Sequence, residues 1–137
     1  MNQFIIATHG ELAESFYHYI QFFNATVDNV YFINAYSKNT EKFEDSLISL
    51  VKKLQHDNVI VFTDLPGGSV NRTVCEHIND FHYKVISGIN LPSLLEIALK
   101  IDEVSDQEIR NIIDESRKQL VFMNDMFKLM KEDDSLD

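Results

Sequence analysis

Cysteine is nearly absent from this chain. Cys75 is the single one in 137 residues, so no internal disulfide can form and no metal cluster can be built on thiolates. A reducing cytoplasm suits such a chain. Within "NRTVCEHI", Cys75 falls at helical spacing and reads as a small core residue. Positive charge is scarce as well: 12 lysines and arginines stand against 22 acids, a net charge of −10. That excludes the concentrated basic face nucleic-acid binding needs. It fits a solvated surface first and docking to a basic protein partner second. Long apolar runs are missing: none approaches the roughly 20 residues of a membrane span. No basic segment precedes an apolar one at the N-terminus, so no secretory signal is read. Repeats and low-complexity linkers are lacking too. The expectation is a soluble cytoplasmic protein without direct membrane insertion. It is one domain over residues 1–130, with an acidic, frayed tail over 131–137.

What is present alternates. "QFIIAT", "NVYFINAY", "NVIVFTD" and "YKVISGIN" are β-type apolar runs. They give expected strands at 3–8, 29–34, 58–63 and 83–88. Between them lie helical patterns. "ELAESFYHYIQFF" places Leu12, Phe16, Tyr19, Ile20 and Phe23 on one face. "NTEKFEDSLISLVKKLQ" has Thr40 as N-cap and Phe43, Leu47, Leu50, Val51 and Leu54 at helical spacing. "SVNRTVCEHIND" reads as one helix, and Pro92 in "PSLLEIALKI" sits in a first turn, where its missing N–H costs little. "SDQEIRNIIDESRKQL" opens with Ser105 and Glu108 in capping-box spacing. A β-like "QLVFMND" at 119–125 and the acidic "MFKLMKEDDSLD" close the chain. Strands alternating with helices predict an α/β, doubly wound three-layer sandwich. Its sheet is mostly parallel, of order 2-1-3-4, with helices on both faces.

Ligands of such sheets bind beyond the carboxyl ends of the strands. Thr8-His9-Gly10 follows the first strand and Ser37 follows the second. Asp64, Gly67, Gly68 and Ser69 follow the third, and Asn90 follows the fourth. The Gly67-Gly68-Ser69 turn reads two ways. It is either a tight connection with a serine cap or a nest of amides that attracts an anion at a helix N-terminus. Asp64 tips the reading. In the order 2-1-3-4 it ends the strand beside the one that ends in His9. An aspartate that accepts the Nδ1 proton fixes the tautomer and leaves Nε2 as a nucleophilic lone pair. Beside an anion nest, its natural electrophile is a phosphoryl group. Thr8, Gly10, Ser37 and Asn90 are possible lining residues.

His18, His56, His77 and His82 lie outside any motif, and no histidine or cysteine spacing suggests metal. Phe16, Phe43 and Phe62 read as core. A receiver domain would place a magnesium-binding acidic cluster after the first strand, and a flavodoxin a Ser/Thr-rich phosphate loop. Thr-His-Gly is neither.

Three stretches, "IIATHGELA" at 5–13, "VFTDLPGGSVN" at 61–71 and "VISGINLPSLLE" at 85–96, resemble the IIA domain of the mannose family (mannose/fructose/sorbose type) of the bacterial phosphoenolpyruvate-dependent sugar phosphotransferase system. The resemblance implies that His9 is phosphorylated by the phosphocarrier protein HPr and hands the group to a IIB domain, here a separate chain. It implies that Asp64 orients His9 and that Gly67, Gly68 and Ser69 bind phosphate, without metal or organic cofactor. It also implies a homodimer in which a C-terminal antiparallel strand, here 119–125, is exchanged. This sequence departs from the family pattern in placing Pro66 before the glycines and Val70-Asn71 after Ser69. Two related roles stay open: a phosphohistidine regulatory module and a phosphotransferase subunit of the dihydroxyacetone-kinase type.

Overall fold

A computed structural model describes residues 1–37 and 42–136. Its strands are β1 (Asn2–His9), β2 (Val30–Ala35), β3 (Asn58–Thr63) and β4 (Lys84–Ser87). All pair in parallel, in the order β2-β1-β3-β4. This is the expected order, and each boundary falls within one residue of the sequence reading. The helices are α1 (Leu12–Phe23), α2 (Phe43–Leu54), α3 (Ser69–Glu76), α4 (Ile78–Phe81), α5 (Leu91–Ala98), α6 (Asp106–Arg117) and α7 (Met123–Leu136).

Successive strand residues point to opposite faces. In β1 both sets are apolar because both faces are covered. Phe4 and Ile6 join Phe62 and Ile86 beneath α1, α5 and α6, while Ile5 and Ala7 join Val59 and Val61 beneath α2 and α3. The two cores make the three layers. Phe62 is fully buried and Phe43 nearly so, while Phe16 packs partly buried against the first core.

The base of the sheet is tied by a residue the sequence does not advertise. Asn2 is buried; its Nδ2 donates to the Asp102 carbonyl at 2.8 Å, and its Oδ1 accepts from Val104 N at 3.1 Å and Asn58 Nδ2 at 3.0 Å. These bonds pin the α5–α6 connection to β1 and β3. Asn2→Ala would strand several buried polar groups at once. The expected loss in unfolding free energy by urea titration is about 2–3 kcal/mol. A loss under about 0.5 kcal/mol, the range of an ordinary surface substitution, would contradict that role.

Several helical expectations shift. The buried side of α1 carries Ala13 and Ile20, with Phe16 and Tyr17 partly buried, whereas Leu12, Tyr19 and Phe23 stand exposed. Cys75 is exposed and not in the core. Val70 and Val74 form the buried stripe of α3, and the next residue is turned about 100° away from Val74. The segment 69–80 is two helices, meeting at His77. Thr40, expected to cap α2, lies outside the described residues. Ser105 does cap α6, accepting from Glu108 N at 3.2 Å. The stretch 119–125 is not a strand in the described chain: Leu120 and Phe122 are exposed, and α7 begins at Met123 and runs through most of the expected tail.

Candidate active site

The carboxyl edge of the sheet gathers the polar residues at the strand ends. All four glycines of the chain, Gly10, Gly67, Gly68 and Gly88, lie in the connections leaving it. His9 ends β1, and its strand partner on one side is Ala35. On the other side β3 ends at Thr63, so Asp64 rises beside His9 as the strand order requires.

Asp64 holds His9 twice. Its Oδ2 accepts from the His9 backbone N–H at 3.0 Å and from the ring Nδ1 at 2.8 Å, and its Oδ1 accepts from Leu65 N at 3.0 Å. Burial pushes the Asp64 carboxyl up. The His9 backbone N–H, the His9 ring and the Leu65 N–H outweigh it and hold the group below the ordinary carboxyl range. An ionised carboxylate only accepts, so Nδ1 carries the proton and Nε2 carries the lone pair. Ser69 Oγ lies 3.0 Å from that Nε2 and donates to it. The His9 side chain is 41% exposed while that of Asp64 is 13% exposed. Asp64 is therefore sheltered, while the imidazole it holds stands partly open to solvent.

The glycine turn works differently from the expected nest. Gly67 N donates to Asn71 Oδ1 at 2.9 Å and Gly68 N to the Leu65 carbonyl at 3.0 Å. Both amides are spent inside the loop. The amides left to an anion are those of the first turn of α3, Ser69 to Asn71, which a helix cannot pair internally. Glycine is needed at Gly68 for closeness. A Cβ there would lie 3.2 Å from the Leu65 carbonyl oxygen and 3.7 Å from His9 Cε1. Gly68 also occupies the N-cap position, and no side chain caps the helix. Ser69 therefore spends its hydroxyl on His9 and not on the cap. The sequence reading overlooked Asn71, whose Nδ2 also donates to Thr63 Oγ1 at 3.0 Å and ties the loop to the end of β3. Its signal was an amide side chain in the first helical turn after a glycine pair.

The other candidate lining residues turn to structural work. Thr8 is buried, and its Oγ1 accepts from Ala13 N at 2.7 Å at the start of α1. Gly10 takes φ +62, a region that suits glycine, and its N–H donates to the Ala35 carbonyl at 2.8 Å. Ser37 Oγ donates to the Asn34 carbonyl at 3.2 Å within its own turn. Asn90 caps α5, accepting from Ser93 N at 3.1 Å, and donates from Nδ2 to the Ser116 carbonyl at 2.8 Å. Tyr36, not expected here, lays its ring against His9 with centroids 5.5 Å apart.

Among the described residues, Glu44, Glu76 and His77 bring potential metal-ligating atoms within 4.8 Å of one another. They lie at the far end of α3 from Ser69. His77 Nε2 pairs with Glu44 Oε1 at 2.9 Å, which, with Asp80 helping and burial opposing, raises the imidazole above its usual range. This is a clamp between α2 and α3. No described helix is long and apolar enough to cross a membrane.

Ser69 offers a direct test of the site. Ser69→Ala removes the donor on Nε2 without touching the helix cap. For the phosphoryl carrier that the resemblance implies, the expected outcome is an unchanged urea midpoint and a roughly 10- to 100-fold slower phosphoryl uptake by rapid quench. Uptake at the wild-type rate would remove Ser69 from that chemistry.

The profile of the family described as PTS system fructose IIA component matches residues 3–114. No curated protein matches the chain in sequence. Solved structures do match. One is a mannose/sorbose specific IIA subunit of the phosphotransferase system from Enterococcus faecalis: 17% identical, TM-score 0.77, covering 88% of this chain and 92% of that one. Another is the PTS IIA protein associated with the fucose utilization operon of Streptococcus pneumoniae: 22% identical, TM-score 0.78, covering 92% and 96%. A third, assigned as a phosphoenolpyruvate-dependent sugar phosphotransferase system permease of Klebsiella pneumoniae, is 20% identical with a TM-score of 0.82 and covers 92% and 93%. At these identities the likeness shows the fold.

Proposed function

The chain belongs to the family described as PTS system fructose IIA component, and from that premise we propose that His9 is its phosphoryl carrier. The observation that carries this reading is the bracketing of one imidazole: Asp64 on Nδ1 at 2.8 Å and Ser69 on Nε2 at 3.0 Å, at the N-terminus of α3. The Nε2 lone pair attacks the phosphorus of phospho-HPr. The new N–P bond forms as the bond to the donor histidine breaks, and that nitrogen keeps the bonding pair. Charge building on the phosphoryl oxygens meets the Ser69 hydroxyl and the free amides of α3. In the reverse sense the same nitrogen releases the group to a separate IIB subunit, which serves coupled sugar uptake and phosphorylation. Asp64 favours the imidazolium-like charge that develops while the group is in transit. Positioning and fixed dipoles suffice, so no metal or organic cofactor is invoked.

The same reading places the protein in the cytoplasm, where HPr and IIB would meet it, and makes it a homodimer. The support for the dimer is the outer edge of β4, unpaired among the described residues, and the exposed apolar segment Leu120–Phe122. Both are surfaces that a second copy covers. The test of the carrier function is incubation with labelled phosphoenolpyruvate, enzyme I and HPr. The account expects acid-labile, base-stable label on the chain, dependent on HPr. Label that appears without HPr, or none at all, would overturn it.

A further inference from the structure

The ring that touches His9 belongs to the most unusual backbone position at this edge. Tyr36, the first residue beyond β2, has φ +58. A left-handed backbone is disfavoured for a bulky aromatic, and such conformations persist where the surroundings enforce them, often at functional sites. Core packing does not repay this one, because Tyr36 is 65% exposed. The turn is nevertheless well fixed. The Ala35 carbonyl takes the Gly10 N–H, and the Asn34 carbonyl takes the Ser37 hydroxyl. What the turn delivers is an aromatic ring 5.5 Å from the imidazole centroid, tilted by 34° to it.

The hydrogen bonds on the imidazole are made at its two nitrogens. Asp64 grips Nδ1 and Ser69 grips Nε2, and Gly68 lies close enough that a Cβ there would come within 3.7 Å of Cε1. Phosphorylation removes one of them. Once the Nε2 lone pair is committed to phosphorus it no longer accepts the Ser69 hydroxyl, which turns to the phosphoryl oxygens. The ring then keeps one hydrogen bond of its own, Nδ1 to Asp64, and can swing about it. A neighbouring aromatic ring, its centroid 5.5 Å from that of the imidazole and its plane tilted by 34°, opposes that swing.

We propose that Tyr36 is a positioning residue for His9: its ring, presented by a left-handed turn at the end of β2, keeps the imidazole oriented while Nε2 bonds to phosphorus. The inference rests on His9 being the phosphoryl carrier. It assigns the aromatic ring, and not the phenol hydroxyl, as the working part. It also assigns the contact to orientation in the transition state and not to affinity for the donor protein.

Tyr36→Gly removes the ring at a backbone position that glycine adopts without strain, so the fold is kept. Tyr36→Phe keeps the ring. Single-turnover uptake is measured by rapid quench over a range of labelled phospho-HPr concentrations. The expected result for Tyr36→Gly is a maximal rate about tenfold lower, with half-saturation within about twofold of wild type. Tyr36→Phe should match wild type. The His9 ring-proton resonances of the unphosphorylated protein should shift in Tyr36→Gly, where the neighbouring ring current is gone, and stay in place in Tyr36→Phe. An unchanged maximal rate overturns the proposal, and so does a change in half-saturation alone, which marks a docking contact. Unmoved His9 resonances overturn it as well. If wild type takes up label at His9 and Tyr36→Gly equals it, only this inference fails. If wild type takes up no label, the carrier reading fails with it.

Discussion

His9→Ala is expected to take up no phosphoryl group: less than about 1% of the wild-type label under conditions that saturate the wild type. Two of the other histidines are already engaged. His77 is clamped to Glu44, and His18 pairs with Glu14 at 3.6 Å on the exposed face of α1. Neither has a serine and a helix N-terminus facing a free nitrogen. The substitution should leave the domain folded. The backbone N–H donors of residue 9 and Leu65 still satisfy the Asp64 carboxylate. What is lost is two side-chain hydrogen bonds on a ring that is already partly solvated, at a cost of about 1 kcal/mol each. The measurement is label incorporation beside a urea titration of the same preparation. A folded His9→Ala protein that still takes up acid-labile phosphate would end the assignment.

Asp64→Asn carries the second large effect, a slowing of uptake by roughly 10²-fold or more with the fold intact. The carboxylate accepts three N–H groups with its two oxygens. An amide can accept with only one. If its oxygen faces His9, its NH2 group opposes the Leu65 N–H. If it is flipped, the NH2 faces both His9 donors, and the ring must move its proton to Nε2, where the lone pair is needed. Either way the negative charge behind the imidazole is gone. The acid side of stability should change as well. The Asp64 pKa is lowered in the folded state from an ordinary 3.8. Its contribution is therefore complete above that value and is lost as pH falls through the folded pKa. Wild type should exceed Asp64→Asn in unfolding free energy at neutral pH, and the gap should close in strong acid. Equal uptake rates, or a gap that widens in acid, would contradict this account of Asp64.

How far this site could be read from sequence depends on which interactions are local. β3 was legible to the residue because both faces of a central strand are buried, which leaves the unbroken run "NVIVFT". The His9–Asp64 contact was legible at one remove, because strand order puts the ends of β1 and β3 side by side. The role of the glycine turn was not legible. Whether the amides of Gly67 and Gly68 are free depends on the Asn71 side chain and the Leu65 carbonyl, which are contacts of the folded loop. Tyr36 was illegible for another reason: no residue preference announces a tyrosine at φ +58. Residues 119–125, read as a strand exchanged between subunits, form no strand within the single described chain, where Met123 onward is helix. Cys75 misled by a single helical step, since Val74 already fills the buried stripe of α3.

The account comes down to one nitrogen. Protein labelled with 15N at histidine and phosphorylated through HPr can be read by NMR for the ring nitrogen bonded to phosphorus. The account predicts a phosphorus coupling at His9 Nε2, with Nδ1 still protonated against Asp64. A coupling at His9 Nδ1, or at any other residue, would contradict it.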